Sequence, residues 1–409
     1  MDQSKSPYTD SSSSAENLVS KITAFDEFGS TTQIENKNGI KYFTNEFWTS
    51  KQRQGNRLHE VSYRACFKPQ LPRFFIERLT SAGDIVYDPF MGRGTTLLES
   101  ALMGRIPYGN DANPLSRALI APRLSPPTLA QVLDRLDEIP WDTFQGHEID
   151  ELLTFYHPQT LACIEGLRSW LISRQENDTI DDIDGWIRMV AINRLTGHSS
   201  GFFSVYTLPP NQAVTIERQK IINMKRAQTP PLRDVPNIIA KKSRSLLSQY
   251  HKQVLGSEYK TLSSPSDKTP KIPSDSVALT VTSPPFLDIV NYEADNWLRC
   301  WFIGVDPKKV NISQHRKIED WQIFIQKTLT ELARVTRDSG YIAFEVGEVR
   351  NGSIRLEDNV IAAAQGLPLT VVGVMINQQD FTKTSNCWGV SNNKSGTNSN
   401  RIVIFKKQS

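Results

Sequence analysis

Cysteine is scarce in this chain. Four occur among 409 residues, Cys66, Cys163, Cys300 and Cys387, and no two of them form a CxxC pair. That spacing carries neither a zinc-site nor a disulfide-scaffold signature, so a reducing setting without a bound metal is expected. Long apolar runs are missing too. No segment approaches the ~20 continuous apolar residues that span a bilayer, and the amino-terminal MDQSKSPYTDSSSSAEN lacks the apolar centre of a secretory signal. The expectation is a soluble, cytoplasmic protein with no membrane contact. Nor does either charge dominate: 47 Lys and Arg face 44 Asp and Glu, for a net +3. Such a balance gives weak attraction to polyanions and decides nothing by itself.

What is present is an alternation of short buried strands and helices. The length exceeds that of one ordinary core, so one enlarged domain or two are expected. Residues 1–20 are Ser-rich and too poor in apolar side chains to offset the entropy of ordering, which predicts a flexible tail. From Asp84, DIVYDPFMGRGTTLLESALMGR reads as a strand, a glycine turn and a helix starting near Thr95. IPYGND is the next strand, followed by SVALTVTS (276–283), GYIAFEV (340–346), LTVVGVMI (369–376) and RIVIFK (401–406). Helical stretches at 293–303 and 317–336 lie between them, as in an α/β fold whose mostly parallel sheet is covered on both faces. Residues 122–255 are mainly amphipathic helix and read as a large insertion between the second and third strands. The domain then consists of two parts, 21–121 and 256–409. Within the second, residues 378–400 form an Asn-, Ser-, Thr- and Gly-rich loop, long enough to be either functional or disordered.

In YDPFMGRGTT, Gly92 and Gly94 allow a sharp turn that passes close to a ligand. Asp111 ends the following strand, about 20 residues on, where a carboxylate can accept hydrogen bonds from a ribose diol. Two phosphate signatures are incomplete: the third glycine of the dinucleotide fingerprint is absent, and no Gly-Lys-Ser/Thr makes a P-loop. An adenosine ligand with a ribose and no pyrophosphate satisfies both facts, and S-adenosylmethionine is one. An ordinary strand-to-helix connection is the alternative.

The second singular stretch is TVTSPPF, 280–286. Pro284 and Pro285 stiffen the chain and have no N–H, which leaves carbonyl acceptors, and the Ser283 side chain adds another. Two acceptors suit the two hydrogens of an exocyclic amino group, and Phe286 offers a face on which a base can stack. Drawing on both N–H bonds takes the nitrogen lone pair out of conjugation and makes it a better nucleophile toward a methyl sulfonium. Two other Pro-Pro pairs serve as controls. TLPPNQ (207–212) has Leu208 in place of the acceptor, and TPPL (229–232) has no aromatic residue and follows no clear strand.

Asp88-Pro-Phe-Met-Gly-Arg-Gly followed by Thr282-Ser283-Pro284-Pro285-Phe286 resembles the S-adenosylmethionine-dependent DNA amino-methyltransferase family, which methylates cytosine N4 or adenine N6. The likeness spans residues 59–121 and 258–346, and HEVSYRACFKPQLPRFFIERL (59–79) is similar to the family's further cofactor-binding helix. The resemblance implies a doubly wound, mostly parallel, seven-stranded methyltransferase sheet whose last strand, RIVIFK, is antiparallel. It implies Lys68, Asp88, Phe90, Gly92, Gly94, Thr95 and Asp111 as cofactor-binding residues, Asp267 of SSPSD as the acid after the third strand, and Ser283, Pro284, Pro285 and Phe286 as the catalytic tetrapeptide. Double-stranded DNA is the implied partner, with a cognate restriction endonuclease if the enzyme serves a restriction-modification system.

Carbon-5 cytosine methylation is disfavoured, because related enzymes place a nucleophilic cysteine after proline and no cysteine here follows one. Adenine N6 remains an alternative, although similar adenine enzymes more often carry Asp or Asn where Ser283 stands. An RNA amino-methyltransferase and a non-catalytic nucleic-acid-binding relative also stay open. His198, in a polar loop, is assigned no chemistry. The basic run Arg218, Lys220, Lys225, Arg226, Arg233, Lys241, Lys242 and Arg244 reads as phosphate contacts or as a solvated face. The insertion and the 378–400 loop are the expected sites of DNA sequence recognition.

Overall fold

The computed structural model describes residues 11–49, 55–64, 66–208, 213–249, 258–285, 292–310, 315–349, 354–378 and 399–408. In chain order the strands are β1 (Gln33–Lys37), β2 (Ile40–Asn45), β3 (Ile85–Asp88), β4 (Ile106–Asn110), β5 (Lys260–Leu262) and β6 (Val277–Thr282). They continue with β7 (Thr336–Val346), β8 (Glu348–Val349), β9 (Ile354–Arg355), β10 (Leu369–Gln378) and β11 (Ser399–Lys407). The first six helices are α1 (Ser11–Thr23), α2 (Gln70–Leu79), α3 (Thr95–Leu102), α4 (Pro114–Leu124), α5 (Leu129–Glu138) and α6 (Pro158–Glu176). The remaining six are α7 (Asp182–Ile192), α8 (Ile216–Arg226), α9 (Val235–Leu247), α10 (Tyr292–Phe302), α11 (Ile318–Val335) and α12 (Leu356–Ala363).

Among the described residues, nine strands form one sheet in the order β1-β2-β10-β11-β7-β6-β3-β4-β5. The run β5-β4-β3-β6-β7 is parallel throughout. β11 enters antiparallel between β7 and β10. The α/β class is as read from the sequence, but the count of seven strands is corrected to nine. The two additional strands are β1 and β2, paired antiparallel to each other, with β2 parallel to β10. Their sequence, QIENKNGIKYFTN, gave little signal because β1 is almost wholly exposed and its side chains carry no apolar alternation.

Strand period places successive side chains on opposite faces. Ile342 and Phe344 of β7, Val403 and Phe405 of β11 and Tyr87 of β3 share one core with Trp321, Ile325 and Leu329 of α11 and Val360 of α12. Their neighbours Tyr341, Ala343, Ile402, Ile404 and Val86 join the opposite core with Phe74 and Phe75 of α2. Every residue of β6, VALTVT, is buried, as both faces of a central parallel strand require.

Leu18 and Ile22 of α1 are buried in that second core, so the flexible tail expected over residues 1–20 is corrected for residues 11–20. The pair lies four apart on one helix face, which gives the short segment enough apolar contact to order it. Helices α5–α9 lie between β4 and β5. They share one apolar cluster with Leu97 and Leu98 of α3, Leu115 and Leu119 of α4 and Leu298 of α10. Those helical residues therefore extend the flank of the sheet rather than forming a separate core. No helix among the described residues is long and apolar enough to cross a membrane.

Candidate active site

The glycine turn connects β3 to α3, and its two glycines do different work. Gly92 has φ +47°, and a Cβ there would touch the Tyr63 ring at 3.5 Å, an ordinary contact. Its N–H donates to Asp111 Oδ2 at 2.9 Å. Gly94 has φ +78°, and a Cβ there would come within 2.3 Å of Ile120 Cγ1. Gly94 thus permits the close approach of α4 and does not reach the cavity wall. Between them, Arg93 spends its guanidinium on the protein itself. It donates to the carbonyls of His59 (3.4 Å), Val61 (3.0 Å) and Phe67 (3.3 Å) and to Thr95 Oγ1 (3.1 Å). This arginine staples His59, Val61 and Phe67 over the turn.

Beside the turn lies a cavity of about 430 Å³ at the carboxyl ends of β3, β4 and β6, the edge where open parallel sheets bind ligands. Asp88, Phe90, Gly92, Thr95, Asp111, Asp267, Ser283 and Pro285 all line it, although they come from widely separated parts of the chain. Pro284 is buried just behind the wall. Lys68 follows the lining residue Phe67 but is not on the wall. Partial burial holds its ammonium below the usual lysine range. Phe286 lies outside the described residues.

Asp111 accepts from two backbone amides, Gly92 at Oδ2 and Asn113 at Oδ1, each at 2.9 Å. Burial raises its carboxyl above the ordinary range. A carboxylate offers about four lone-pair sites, so acceptor capacity remains for a ligand. Asp88 lies deeper. Its Oδ1 accepts from Thr282 Oγ1 at 2.6 Å and from the Phe90 N–H at 3.0 Å, and burial pushes its pKa up to about 7.

Three residues at the acceptor segment were given no role from sequence, although Thr282 belongs to the TVTSPPF motif. Glu345 of β7 is buried, and burial raises its carboxyl. It accepts from Asn400 Nδ2 at 3.0 Å and from the Ser283 hydroxyl. Trp321 of α11 donates its indole N–H to the Pro285 carbonyl at 2.9 Å. Thr282 makes the contact to Asp88 already described. A charged residue inside the apolar strand GYIAFEV was an available signal for Glu345. Trp321 gave none, because its spacing on α11 is that of any core residue. Another aromatic group forms the far wall, where Phe324 lies 5.8 Å from Phe90 and 5.1 Å from His315, ring centre to ring centre.

The basic run is not one surface. Lys242 pairs with Glu60 at 2.7 Å, and Arg226 lies 3.8 Å over the Tyr206 ring. Arg218, Lys220, Lys225, Lys241 and Arg244 are exposed. His198 sits 6.1 Å from the Phe202 ring, outside the cavity wall.

Residues 3–120 match the DNA methylase model that covers N6- and N4-type enzymes. The match includes the glycine turn and Asp111 and ends well before Ser283. Two curated relatives are Type II methyltransferases. M.MjaII of Methanocaldococcus jannaschii is 38% identical over 68 residues, 16% of this chain and 13% of that protein. M.MvaI of Kocuria varians is 32% identical over 98 residues, 23% of this chain and 20% of that protein. The chain therefore spans a fifth or less of the relatives it matches. Among solved structures, an rRNA methylase from Streptococcus thermophilus is similar at 8% identity with a TM-score of 0.33, covering 84% of this chain and 99% of that one. An S-adenosylmethionine-dependent methyltransferase from Methanosarcina mazei is similar at 9% identity with a TM-score of 0.31, covering 82% and 97%.

Proposed function

We propose, from the match of residues 3–120 to the N6- and N4-type DNA methylase model and from the cavity described above, that this chain transfers a methyl group from S-adenosylmethionine to the exocyclic N4 of cytosine in duplex DNA. The observation that carries this reading is the placement of Ser283 and Pro285 on the same cavity as Gly92 and Asp111. A volume of about 430 Å³ falls within the ~300–1,000 Å³ range of small-molecule sites. The donor set fits the ligand: Asp111 has acceptor capacity for a ribose diol, Phe90 offers a ring, Asp267 can accept from an adenine amino group, and Gly92 leaves room for close approach. Lys68, next in sequence to the lining residue Phe67, is assigned to the carboxylate of the ligand.

When bound, S-adenosylmethionine supplies a methyl group already activated on a sulfonium. The protein's part is to bring the amino nitrogen to it. A target base held out of the duplex meets Ser283 Oγ and a proline carbonyl as acceptors for its two N–H bonds. Because the Ser283 hydroxyl donates to Glu345, its lone pairs are left for the substrate. As the N–C bond forms and the S–C bond breaks, the amino nitrogen loses one proton. Glu345, reached through Ser283 and raised by burial, is a base suited to receive it.

Serine at position 283 is the reason for choosing cytosine N4 over adenine N6. Sequence recognition we assign to residues 122–255 and 378–400. The exposed cations of α8 and α9 are suited to phosphates, and Gln378 and Ser399, paired in register, leave the sheet at the edge that carries the cavity. Residues 379–398 themselves lie outside the described residues. A role in a restriction-modification system, with a partner endonuclease, belongs to the same proposal. Nucleoside mass spectrometry of DNA from cells expressing the chain is the test. N4-methylcytosine is expected; N6-methyladenine would leave the chemistry intact and overturn the base assignment, and no modified base would refute the enzyme.

A further inference from the structure

The acceptor segment has an anchoring problem. β6 pairs with β7 as far as Thr282 opposite Phe344, and two of the next three residues are prolines, which have no N–H to continue a ladder. Sheet pairing therefore stops one residue short of the place where an amino group must find two acceptors at once. Side chains take over. On the entry side the Thr282 hydroxyl donates to Asp88 Oδ1 at 2.6 Å, with both residues buried. On the exit side the Trp321 indole, only 1% exposed, donates to the Pro285 carbonyl at 2.9 Å. The two contacts bracket Ser283 and Pro284 and come from two different elements, β3 and α11.

We propose that these contacts form a clamp which holds the two acceptors in register with the methyl donor, making Thr282 and Trp321 positioning residues for transfer. The inference rests on the methyl-transfer reading and deepens it. Trp321 takes one of the two lone pairs of the Pro285 carbonyl, which fixes the direction of that cavity-lining carbonyl and leaves its second lone pair to act with Ser283. Asp88 adds a second consequence. The same Oδ1 that holds Thr282 also takes the Phe90 N–H at 3.0 Å, so one carboxylate ties the base-side strand end to the cofactor-side turn. Both contacts are made by groups that would otherwise be costly to bury. A threonine hydroxyl and an indole N–H taken out of water each need a partner, and here each partner is part of the site.

The test uses the full chain, duplex DNA and labelled S-adenosylmethionine, with single-turnover transfer and calorimetric cofactor affinity measured in parallel. Trp321→Phe keeps a ring and loses the donor. Thr282→Val keeps the shape and loses the hydroxyl, whereas Thr282→Ser retains it. Because misplacing reacting atoms by about 1 Å costs on the order of 100-fold in rate, Trp321→Phe and Thr282→Val should slow transfer by about 10- to 100-fold at unchanged cofactor affinity. Thr282→Ser should restore most of the rate. Wild-type rates in both donor-deleted variants would overturn the clamp, as would cofactor affinity falling in step with rate, or no rescue by serine. Should Trp321→Phe fail to fold, the Thr282 pair decides alone. A wild-type chain that binds S-adenosylmethionine yet methylates no nucleic acid would refute the underlying reading instead.

Discussion

Gly94 and Gly92 sit two residues apart and should fail in opposite ways when given a side chain. At Gly94 the φ of +78° and the 2.3 Å approach to Ile120 Cγ1 impose two costs on Gly94→Ala. A left-handed backbone costs a residue with a Cβ ~1–2 kcal/mol, and forcing a fully buried isoleucine aside costs about 1–3 kcal/mol as overpacking. Together these make ~2–5 kcal/mol, a large share of the ~5–15 kcal/mol that holds a typical protein folded. At Gly92 the nearest atom to an added Cβ is a Tyr63 ring carbon at 3.5 Å, so only the backbone cost of ~1–2 kcal/mol applies. The methyl would instead enter the cavity that Gly92 lines. Denaturant unfolding and cofactor titration on both variants give the assay. Gly94→Ala should lose stability and, where folded, keep its affinity for S-adenosylmethionine; Gly92→Ala should lose affinity with the smaller stability change. A cycle with Ile120→Ala sharpens the first half, since that truncation should cost less in the Gly94→Ala background than in the wild type. A Gly94→Ala variant of wild-type stability, or an additive cycle, would refute the packing argument.

Three further outcomes are expected. Asp111→Ala should weaken cofactor binding by the ~1.5–3 kcal/mol of a hydrogen bond to a charged group, and it also frees the Gly92 N–H; unchanged affinity by calorimetry would remove Asp111 from the site. Asp88, with a pKa raised to about 7, binds a proton in the folded state that the unfolded chain, near 3.9, has lost. Its contribution is therefore complete below about pH 4 and lost as pH rises through 7. The stability of Asp88→Asn relative to wild type should accordingly rise between pH 5 and pH 8, and a flat difference in paired unfolding curves would disprove the ionisation. Charge reversal of exposed Lys220 and Lys225 should lower DNA affinity and flatten its dependence on salt. An unaltered salt slope would make α8 a merely solvated face.

The sequence by itself determined the parts of this protein that are local. Asp88 through Thr95 spell a strand, a turn and a helix because glycine takes φ values of +47° and +78° more readily than any residue with a Cβ, and Asp111 follows at the end of the next strand. The central strand VALTVT was readable because both its faces are buried, giving an unbroken apolar and β-branched run. The edge strand β1 was not, since its exposed side chains need no pattern, and β2 beside it is too short, with only Tyr42 and Phe43 as buried apolar residues, to announce itself. Tertiary structure decided the rest. The motif gives Gly94 and Gly92 the same expected role, and only the tertiary structure shows that Gly94 packs against Ile120 on α4 while Gly92 lines the cavity. Helices α5–α9 were read as an insertion, and only their packing against α3, α4 and α10 makes them part of the same core. Above all, Glu345 and Trp321 belong to no motif, and Thr282 stands in one without a role that the motif discloses. A hydroxyl, a carboxyl and an indole acquire meaning at the acceptor segment only because two prolines withhold their amides there. Which side chain then supplies the missing bonds is fixed by three-dimensional proximity, which one-dimensional spacing does not encode.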